Sequence, residues 1–259
     1  MKCFGRFILG LAGVLVSLTM SAASADDAAI AARQTDNAAA PATKSPVVVE
    51  MFLSQACSSC APAAKLLPDL AARKDVIALS WHVDYWNLLN TKNGRWADPW
   101  ADPAYTKRQK SYNLALRNRS SVYTPQAVID GSAEAVGSSG DKIRTLINEA
   151  ASRKNRAEVE TSANDNGVLF RVGRSDSGGN AFLVTFKKHA TTPIPRGENA
   201  GRTFEEVNIV TGLRPLGVIL KRGSELTAEP PAAGEGCALI VQEPKQARIV
   251  AAAYCPTSS

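Results

Sequence analysis

The segment 47–60 reads Val47-Val48-Val49-Glu50-Met51-Phe52-Leu53-Ser54-Gln55-Ala56-Cys57-Ser58-Ser59-Cys60, and it decides the fold class of this 259-residue chain. Its first half is a nearly continuous apolar run, which is typical of a strand covered on both faces of a sheet. A helical pattern follows Cys60, because apolar residues recur every three or four positions through Ala71. The sequence therefore predicts a strand, a C-x-x-C motif and a helix in direct succession.

Further strands and helices are predicted as far as residue 154. They are a strand over 76–83, a helix over 104–117, a strand over 122–131 closing on an Asp-Gly turn, a short strand around 133–136 and a helix from about residue 140. The polar stretch 87–103 is predicted to be a long loop. The fold class is therefore α/β, with a mixed central sheet flanked by helices.

The sequence pattern changes after Lys154. Short alternating segments separated by turn residues predict a small antiparallel β domain over 155–259. Residues 26–45 are rich in Ala and polar residues without apolar periodicity, which predicts a flexible linker. The predicted organisation is a signal peptide at 1–25, this linker, an α/β domain at 46–154 and the β-rich C-terminal domain.

The first 25 residues have the features of a secretory signal. Lys2 and Arg6 precede the apolar run 7–18, and the small residues of Ala23-Ser24-Ala25 form an A-x-A-like cleavage site. Since the apolar run is too short for a comfortable membrane span, we expect export to the periplasm or medium and no stable membrane anchor after cleavage.

Charge and cysteine content narrow the function classes. Residues 1–25 hold one Lys and one Arg, so the remaining chain keeps 28 of the 30 basic residues against 24 acidic ones, a net charge of +4. Without a dense basic cluster, nucleic-acid binding has little support. The four cysteines that remain, an even number, suggest two disulfide pairs in an oxidising compartment.

The C-x-x-C motif has a redox-type context. Cys57 stands at the start of a predicted helix, where unpaired N–H groups and the helix dipole favour a thiolate, the attacking species in disulfide exchange. Cys60 lies one helical turn further on, which suits a resolving thiol. The catalytic candidates are therefore Cys57 as nucleophile and Cys60 as resolving residue. A permanent disulfide without activity is the alternative.

Thr124-Pro125 opens the predicted strand at 122–131, and an X-Pro bond there can be cis. The element order resembles thioredoxin-fold proteins over 46–154. More narrowly, the segments 50–60, His82-Val83-Asp84-Tyr85-Trp86 and Tyr123-Thr124-Pro125-Gln126 resemble the DUF1223 family of exported, largely uncharacterised proteins. The resemblance implies a thioredoxin-like fold and an unproven redox role. It also implies that Pro125 is a cis-proline facing the dithiol, with Thr124 and Pro125 shaping a substrate groove.

The chain departs from thioredoxins at two positions. Ala56 replaces the Trp before the first cysteine, and Glu50 lies seven rather than six residues before it. A one-residue offset in a strand turns a side chain to the other face, unless a bulge restores it. Glu50 is therefore only a candidate proton acceptor for Cys60. The 87–103 insertion is a candidate cover or extension of the substrate groove.

His82 and Asp84 follow the second predicted strand and share one side by alternation. They are candidates for tuning the dithiol, and His82 could join the two thiolates around copper, since soft thiolates with imidazole suit that metal. The other interpretation is a hydrogen-bonded structural histidine at a strand end. The four Trp residues are expected to pack the insertion rather than bind a ligand.

Cys237 and Cys255 are predicted to form a structural disulfide. In an antiparallel hairpin, the residue numbers of every opposed pair add up to the same total. For a hairpin that turns through residues 243–247, this register places Cys237 and Cys255 opposite each other. Opposed residues lie about 4.5–5.5 Å apart, which is within disulfide reach.

The leading hypothesis is an exported thiol–disulfide oxidoreductase that acts on disulfide-containing proteins or small thiols and needs no cofactor beyond its own redox-active disulfide. No metal site is assigned. Two alternatives stay open: a copper-binding or copper-delivery protein that uses the same dithiol, and a non-enzymatic envelope protein with a vestigial dithiol.

Overall fold

The computed structural model describes residues 43–164 and 167–256. The strands are β1 (Thr43–Lys44), β2 (Val47–Leu53), β3 (Val76–His82), β4 (Gln126–Ile129), β5 (Ala133–Val136), β6 (Glu158–Asn164), β7 (Gly167–Val172), β8 (Gly179–Pro193), β9 (Thr203–Ile219), β10 (Ser224–Ala228), β11 (Glu235–Gln242) and β12 (Ile249–Tyr254). The α-helices are α1 (Ala61–Ala71), α2 (Pro103–Arg117) and α3 (Gly140–Ala151), and short 3-10 turns lie at Ser58–Cys60 and Pro244–Gln246.

The helix boundaries follow local sequence signals. Pro62 lies in the first turn of α1, where a missing N–H costs nothing. Asp102 caps α2 by accepting a hydrogen bond from the backbone N–H of Ala104 at 2.7 Å, and Asn118 ends that helix in the left-handed conformation at φ 52°. α3 buries one apolar stripe, as predicted, through Ile143, Leu146, Ile147 and Ala150.

An eight-stranded mixed sheet forms the centre of the molecule, in the order β12-β11-β8-β9-β3-β2-β4-β5. β2 and β3 are parallel along their whole length, whereas β4 runs antiparallel to β2. A second sheet has the order β1-β6-β7-β10. The α/β class with a mixed central sheet is thus confirmed.

The two faces of the sheet are covered by different helices. α1 and α3 pack on one face, where the odd-numbered residues of β2 point and where both cysteines of the C-x-x-C motif are buried. α2 packs on the other face through Tyr105 and Tyr112, against the even-numbered apolar residues Val48 and Phe52. Because β2 is covered on both sides, its apolar run is continuous, and all seven of its residues are buried.

The chain after residue 154 does not stay apart from the preceding part. Four of its strands, β8, β9, β11 and β12, extend the central sheet, and β9 joins β3 by the parallel bridge Ser80↔Ile209. The predicted β-rich character is therefore observed. The domain boundary near residue 154 stays a prediction, because strands from both sides share one sheet.

The N-terminal predictions lie largely outside the described residues. These include the signal peptide at 1–25 and residues 26–42 of the linker. At the end of that linker, Thr43 and Lys44 form β1 and pair with Val159 and Glu158, so the predicted linker is wrong at these two positions. Among the described helices, none is long and apolar enough to cross a membrane.

Candidate functional site

The dithiol lies where β2 ends and α1 begins. The backbone N–H of Cys57 donates to the carbonyl of Ser54 at 3.1 Å, and that of Cys60 donates to the carbonyl of Cys57 at 3.2 Å, so the loop turns tightly into the 3-10 turn and then the helix. Cys57 and Cys60 form a disulfide with their Cα atoms 5.5 Å apart. Both cysteines are fully buried, whereas Ser58 and Ser59 between them are exposed.

The sulfur of Cys57 is held by hydroxyl groups. Thr124 Oγ1 donates to Cys57 Sγ at 3.2 Å, and Ser59 Oγ lies 3.3 Å from the same sulfur. The indole N–H of Trp86 donates to Thr124 Oγ1 at 2.7 Å, which leaves the hydroxyl proton of Thr124 for the sulfur. Hydrogen bonds donated to a thiolate favour the charged form. The structure thus places the Thr124 hydroxyl on the sulfur of Cys57.

Pro125 follows directly and is buried. The Thr124–Pro125 peptide bond is cis, in agreement with the resemblance. The carbonyl of Pro125 accepts a hydrogen bond from the N–H of Gly137 at 2.8 Å, which ties this loop to the segment just after β5.

A second group of contacts reaches the dithiol loop from the tip of the β8–β9 hairpin, residues 194–202. Asn199 is fully buried, and its Nδ2 donates to the carbonyls of Gln55 at 2.8 Å and Cys57 at 3.0 Å. The carboxylate of Glu198 accepts a hydrogen bond from the N–H of Ser58 at 3.1 Å. Neither residue is predictable from the sequence, because both lie about 140 positions from the motif and no local pattern marks them.

A buried charged cluster lies behind the same loop and is formed by His82, Asp98 and Glu206. His82 Nδ1 lies 2.8 Å from Asp98 Oδ2, while its Nε2 lies 3.4 Å from Glu206 Oε1 and 3.1 Å from Ser80 Oγ. Gln55 connects the cluster to the dithiol loop, since its backbone N–H donates to Asp98 and its Nε2 donates to Glu206, each at 2.7 Å. His82 is therefore connected to the dithiol loop through Asp98 or Glu206 and then Gln55. Both ring nitrogens of His82 have polar partners within the cluster.

The charge state of this cluster follows from its surroundings. Burial alone would lower the pKa of His82, but the adjacent carboxylates of Asp98 and Glu206 outweigh burial and raise that pKa to about 9. Burial raises the pKa of Glu206, although the His82 charge opposes the shift. Near neutral pH, His82 is thus an imidazolium that bridges two buried acids.

Asp84 does not join this cluster. Its carboxylate accepts a hydrogen bond from Thr106 Oγ1 at 2.5 Å, so it is tied to α2. The acid that pairs with His82 is Asp98, which comes from the 87–103 insertion. Trp96 of the same insertion donates its indole N–H to Gln55 Oε1 at 3.2 Å, so the insertion packs beside the dithiol loop.

Glu50 lies on the opposite face of the sheet from the dithiol. Its carboxylate accepts hydrogen bonds from Arg108 Nε at 2.5 Å and Nη2 at 2.8 Å, and from the hydroxyl of Tyr112 at 2.5 Å. β2 continues in regular register with both neighbours, so no bulge compensates for the one-residue offset. The considered contact of Glu50 with Cys60 is wrong, and the buried carboxylate instead neutralises Arg108 on α2.

The second cysteine pair is a disulfide in the last hairpin. Ala238 pairs with Tyr254, which is the register with the predicted constant sum, and the N–H of Cys255 donates to the carbonyl of Cys237 at 2.8 Å. Cys237 and Cys255 are bonded, with Cα atoms 5.2 Å apart. The prediction of a disulfide across this hairpin is confirmed.

Two solved structures are similar to this chain. Protein AGR_C_4864 from Agrobacterium tumefaciens is 26% identical with a TM-score of 0.71, and the match covers 84% of this chain and 96% of that one. HBP35 of Porphyromonas gingivalis is 13% identical with a TM-score of 0.53, over 83% of this chain and 78% of that one, a likeness in fold alone. No curated protein matches the chain. The model of DUF1223, a family described as a protein of unknown function, matches residues 48–242, and the chain therefore belongs to the DUF1223 family.

Proposed function

We propose that this chain is an exported, thioredoxin-like thiol–disulfide oxidoreductase that uses the Cys57–Cys60 pair on protein or small-molecule disulfides. The observation that carries the proposal is the hydrogen bond from Thr124 Oγ1 to Cys57 Sγ at the start of a helix. A structural disulfide needs no such donor, whereas a nucleophilic thiolate is stabilised by it.

The arrangement of residues 43–151 supports the thioredoxin-like part of the proposal. β3, β2, β4 and β5 are neighbours in this order, and only β4 runs antiparallel to the other three. α1 and α3 lie on one face and α2 on the other. Export remains an expectation from residues 1–25.

The proposed reaction is a two-step exchange. The Cys57 thiolate attacks one sulfur of a substrate disulfide, which forms a mixed disulfide and releases the first substrate sulfur as a thiolate. Cys60 then loses its proton and attacks Cys57 Sγ, which releases the second substrate thiolate and forms the Cys57–Cys60 disulfide. Two electrons pass from the pair to the substrate, and the reverse sequence oxidises a substrate dithiol.

Access to the sulfur is a requirement of this reaction. Because both cysteines are fully buried in the disulfide form, a substrate reaches Cys57 only when the exposed Ser58–Ser59 turn or the side chains over the sulfur move. An open groove of about 700 Å³ begins beside the dithiol at Ala61 and continues between Lys65 and Phe204. This groove offers space for a substrate chain next to the pair.

The same burial favours a second candidate, a non-enzymatic envelope protein in which Cys57–Cys60 is permanent. Copper binding, the other alternative, would rest on the two thiolates without His82, because both ring nitrogens of His82 are engaged.

Reduction of a protein disulfide tests these candidates. The reduced protein is mixed with insulin, and precipitation of the reduced insulin chains is followed with a regenerating thiol. We expect activity in the wild type and in Cys237→Ala/Cys255→Ala, none in Cys57→Ser, and a trapped mixed disulfide in Cys60→Ser. Equal, background rates for all variants, with the Cys57–Cys60 disulfide intact in the wild type, would support the non-enzymatic candidate.

A further inference from the structure

The tip of the β8–β9 hairpin places a carboxylate at the dithiol. Asn199 fixes the hairpin to the loop, because this buried amide donates to two loop carbonyls and its Oδ1 accepts from Arg202 Nη1 at 3.1 Å. Glu198, the residue before it, is exposed and accepts the N–H of Ser58 at 3.1 Å. The backbone of Glu198 is thus held beside the dithiol loop by the buried contacts of its neighbour.

The N–H of Ser58 lies where it can influence the charge of Cys57. It belongs to the residue after Cys57 and to the first residue of the 3-10 turn that continues into α1. N–H groups at such a helix start stabilise a nearby anion, which is how helix N-termini lower the pKa of a cysteine thiol. Here the N–H beside Cys57 donates to the carboxylate of Glu198. A negative charge next to a cysteine disfavours formation of its thiolate.

We propose that Glu198 tunes the dithiol, because its carboxylate opposes the Cys57 thiolate that Thr124 and Ser59 stabilise. The reduced pair is thereby less stable relative to the disulfide, which lowers the redox potential of the protein. Glu198 is a positioning residue, since it acts on Cys57 through Ser58. This inference rests on the proposed function, since only a pair that cycles between dithiol and disulfide has a potential to tune.

Three variants separate the charge from the contact. Glu198→Gln removes the charge but keeps a carbonyl oxygen that accepts the N–H of Ser58, whereas Glu198→Ala removes both. Glu205→Gln is the matched control, since it removes one exposed carboxylate from the adjacent strand β9. The thiolate absorbance at 240 nm is titrated in the reduced full chain, and the thiol–disulfide equilibrium is measured against glutathione at a pH above the thiol pKa.

In Glu198→Gln, we expect the thiol pKa of Cys57 to fall by about 0.5–1 unit at low salt. The equilibrium constant should shift about threefold to tenfold towards the dithiol, or about 15–30 mV for a two-electron couple. Glu198→Ala should change both quantities in the same direction, and Glu205→Gln should leave both unchanged.

Several results would overturn the inference. One is a thiol pKa and equilibrium constant that are unchanged in Glu198→Gln, and another is an equal shift of both in Glu205→Gln. A third is a shift found only in Glu198→Ala, which would assign the effect to the hydrogen bond rather than to the charge. Failure of the proposed function looks different: the wild-type pair itself would show no reversible equilibrium with glutathione, and the inference would fall with it.

Discussion

The two disulfides of this molecule differ in sequence separation and in the polar groups around their sulfur atoms. Cys57 and Cys60 are three positions apart at the start of a helix, with hydroxyl groups on the Cys57 sulfur and charged residues behind the loop. Cys237 and Cys255 are 18 positions apart and face each other across the β11–β12 hairpin, where Cys237 packs with Leu239 and Val241 in an apolar cluster.

Sequence separation and surroundings suit the two cysteine pairs to different roles. A disulfide that closes a long loop restricts the unfolded chain strongly, whereas one that closes a short turn restricts it less. Polar donors around a sulfur stabilise the thiolate that exchange chemistry needs, whereas an apolar strand layer does not. We therefore propose a chemical role for the first pair and a stabilising role for the second.

The largest expected effect concerns unfolding. Cys237→Ala/Cys255→Ala should lower the free energy of unfolding by about 3 kcal/mol, because this disulfide closes the longer loop. Cys57→Ala/Cys60→Ala should cost less, about 2 kcal/mol, by the same chain-entropy reasoning. Urea denaturation under non-reducing conditions measures both. The reverse order would remove the assignment of stability to the second pair.

A second effect concerns the His82 cluster behind the first pair. The folded-state pKa of His82, about 9, exceeds the ordinary value of 6.5. The stabilisation from the charged His82 is therefore fully present below about pH 6.5 and is lost as the pH rises through about 9. Between pH 6 and pH 10, the wild type should lose on the order of 2 kcal/mol more unfolding free energy than His82→Gln. Urea titrations of both proteins at the two pH values measure this difference, and parallel losses would contradict the charged state of His82.

The smallest effect concerns the Thr124 hydroxyl. Thr124→Val removes the donor to Cys57 Sγ while nearly preserving shape, so the thiol pKa of Cys57 should rise by about 1 unit. Thr124→Ser keeps the hydroxyl and serves as the control. The pH dependence of alkylation of the reduced protein by iodoacetamide reports this pKa. If valine and serine titrate alike, Thr124 has no electrostatic role at the dithiol.

Local signals in the sequence predicted most elements of the first 150 residues. The apolar run of β2 and the stripe of α3 are set by burial periodicity, and the predicted short strand at 133–136 coincides with β5. The facing cysteines of the last hairpin followed from register arithmetic alone. The strand predicted at 122–131 is shorter in the structure, because Thr124 and Pro125 belong to the loop that faces Cys57.

What the sequence did not predict depends on long-range pairing. Strand periodicity predicts short antiparallel strands after residue 154, but not that β9 lies beside β3 and that the β8–β9 tip lies on the dithiol loop. Glu198, Asn199 and Glu206 were therefore missed. Alternation grouped His82 with Asp84, whereas the tertiary fold pairs it with Asp98 of the insertion. The Glu50 offset indicated a change of face but left Glu50 a candidate acceptor for Cys60, which is wrong, and its partner Arg108 lies on a helix whose position no local pattern gives.

A redox titration that follows the two cysteine pairs separately distinguishes a redox-active Cys57–Cys60 pair from a permanent disulfide. The protein is equilibrated with glutathione or dithiothreitol buffers of graded potential, the free thiols are alkylated, and peptide mass spectrometry reports each pair. We expect a reversible Cys57–Cys60 transition at about −120 to −270 mV, the range of thioredoxin-type pairs, while Cys237–Cys255 stays oxidised below about −300 mV. A Cys57–Cys60 pair that also stays oxidised below about −300 mV would contradict the assignment of chemistry to the first disulfide.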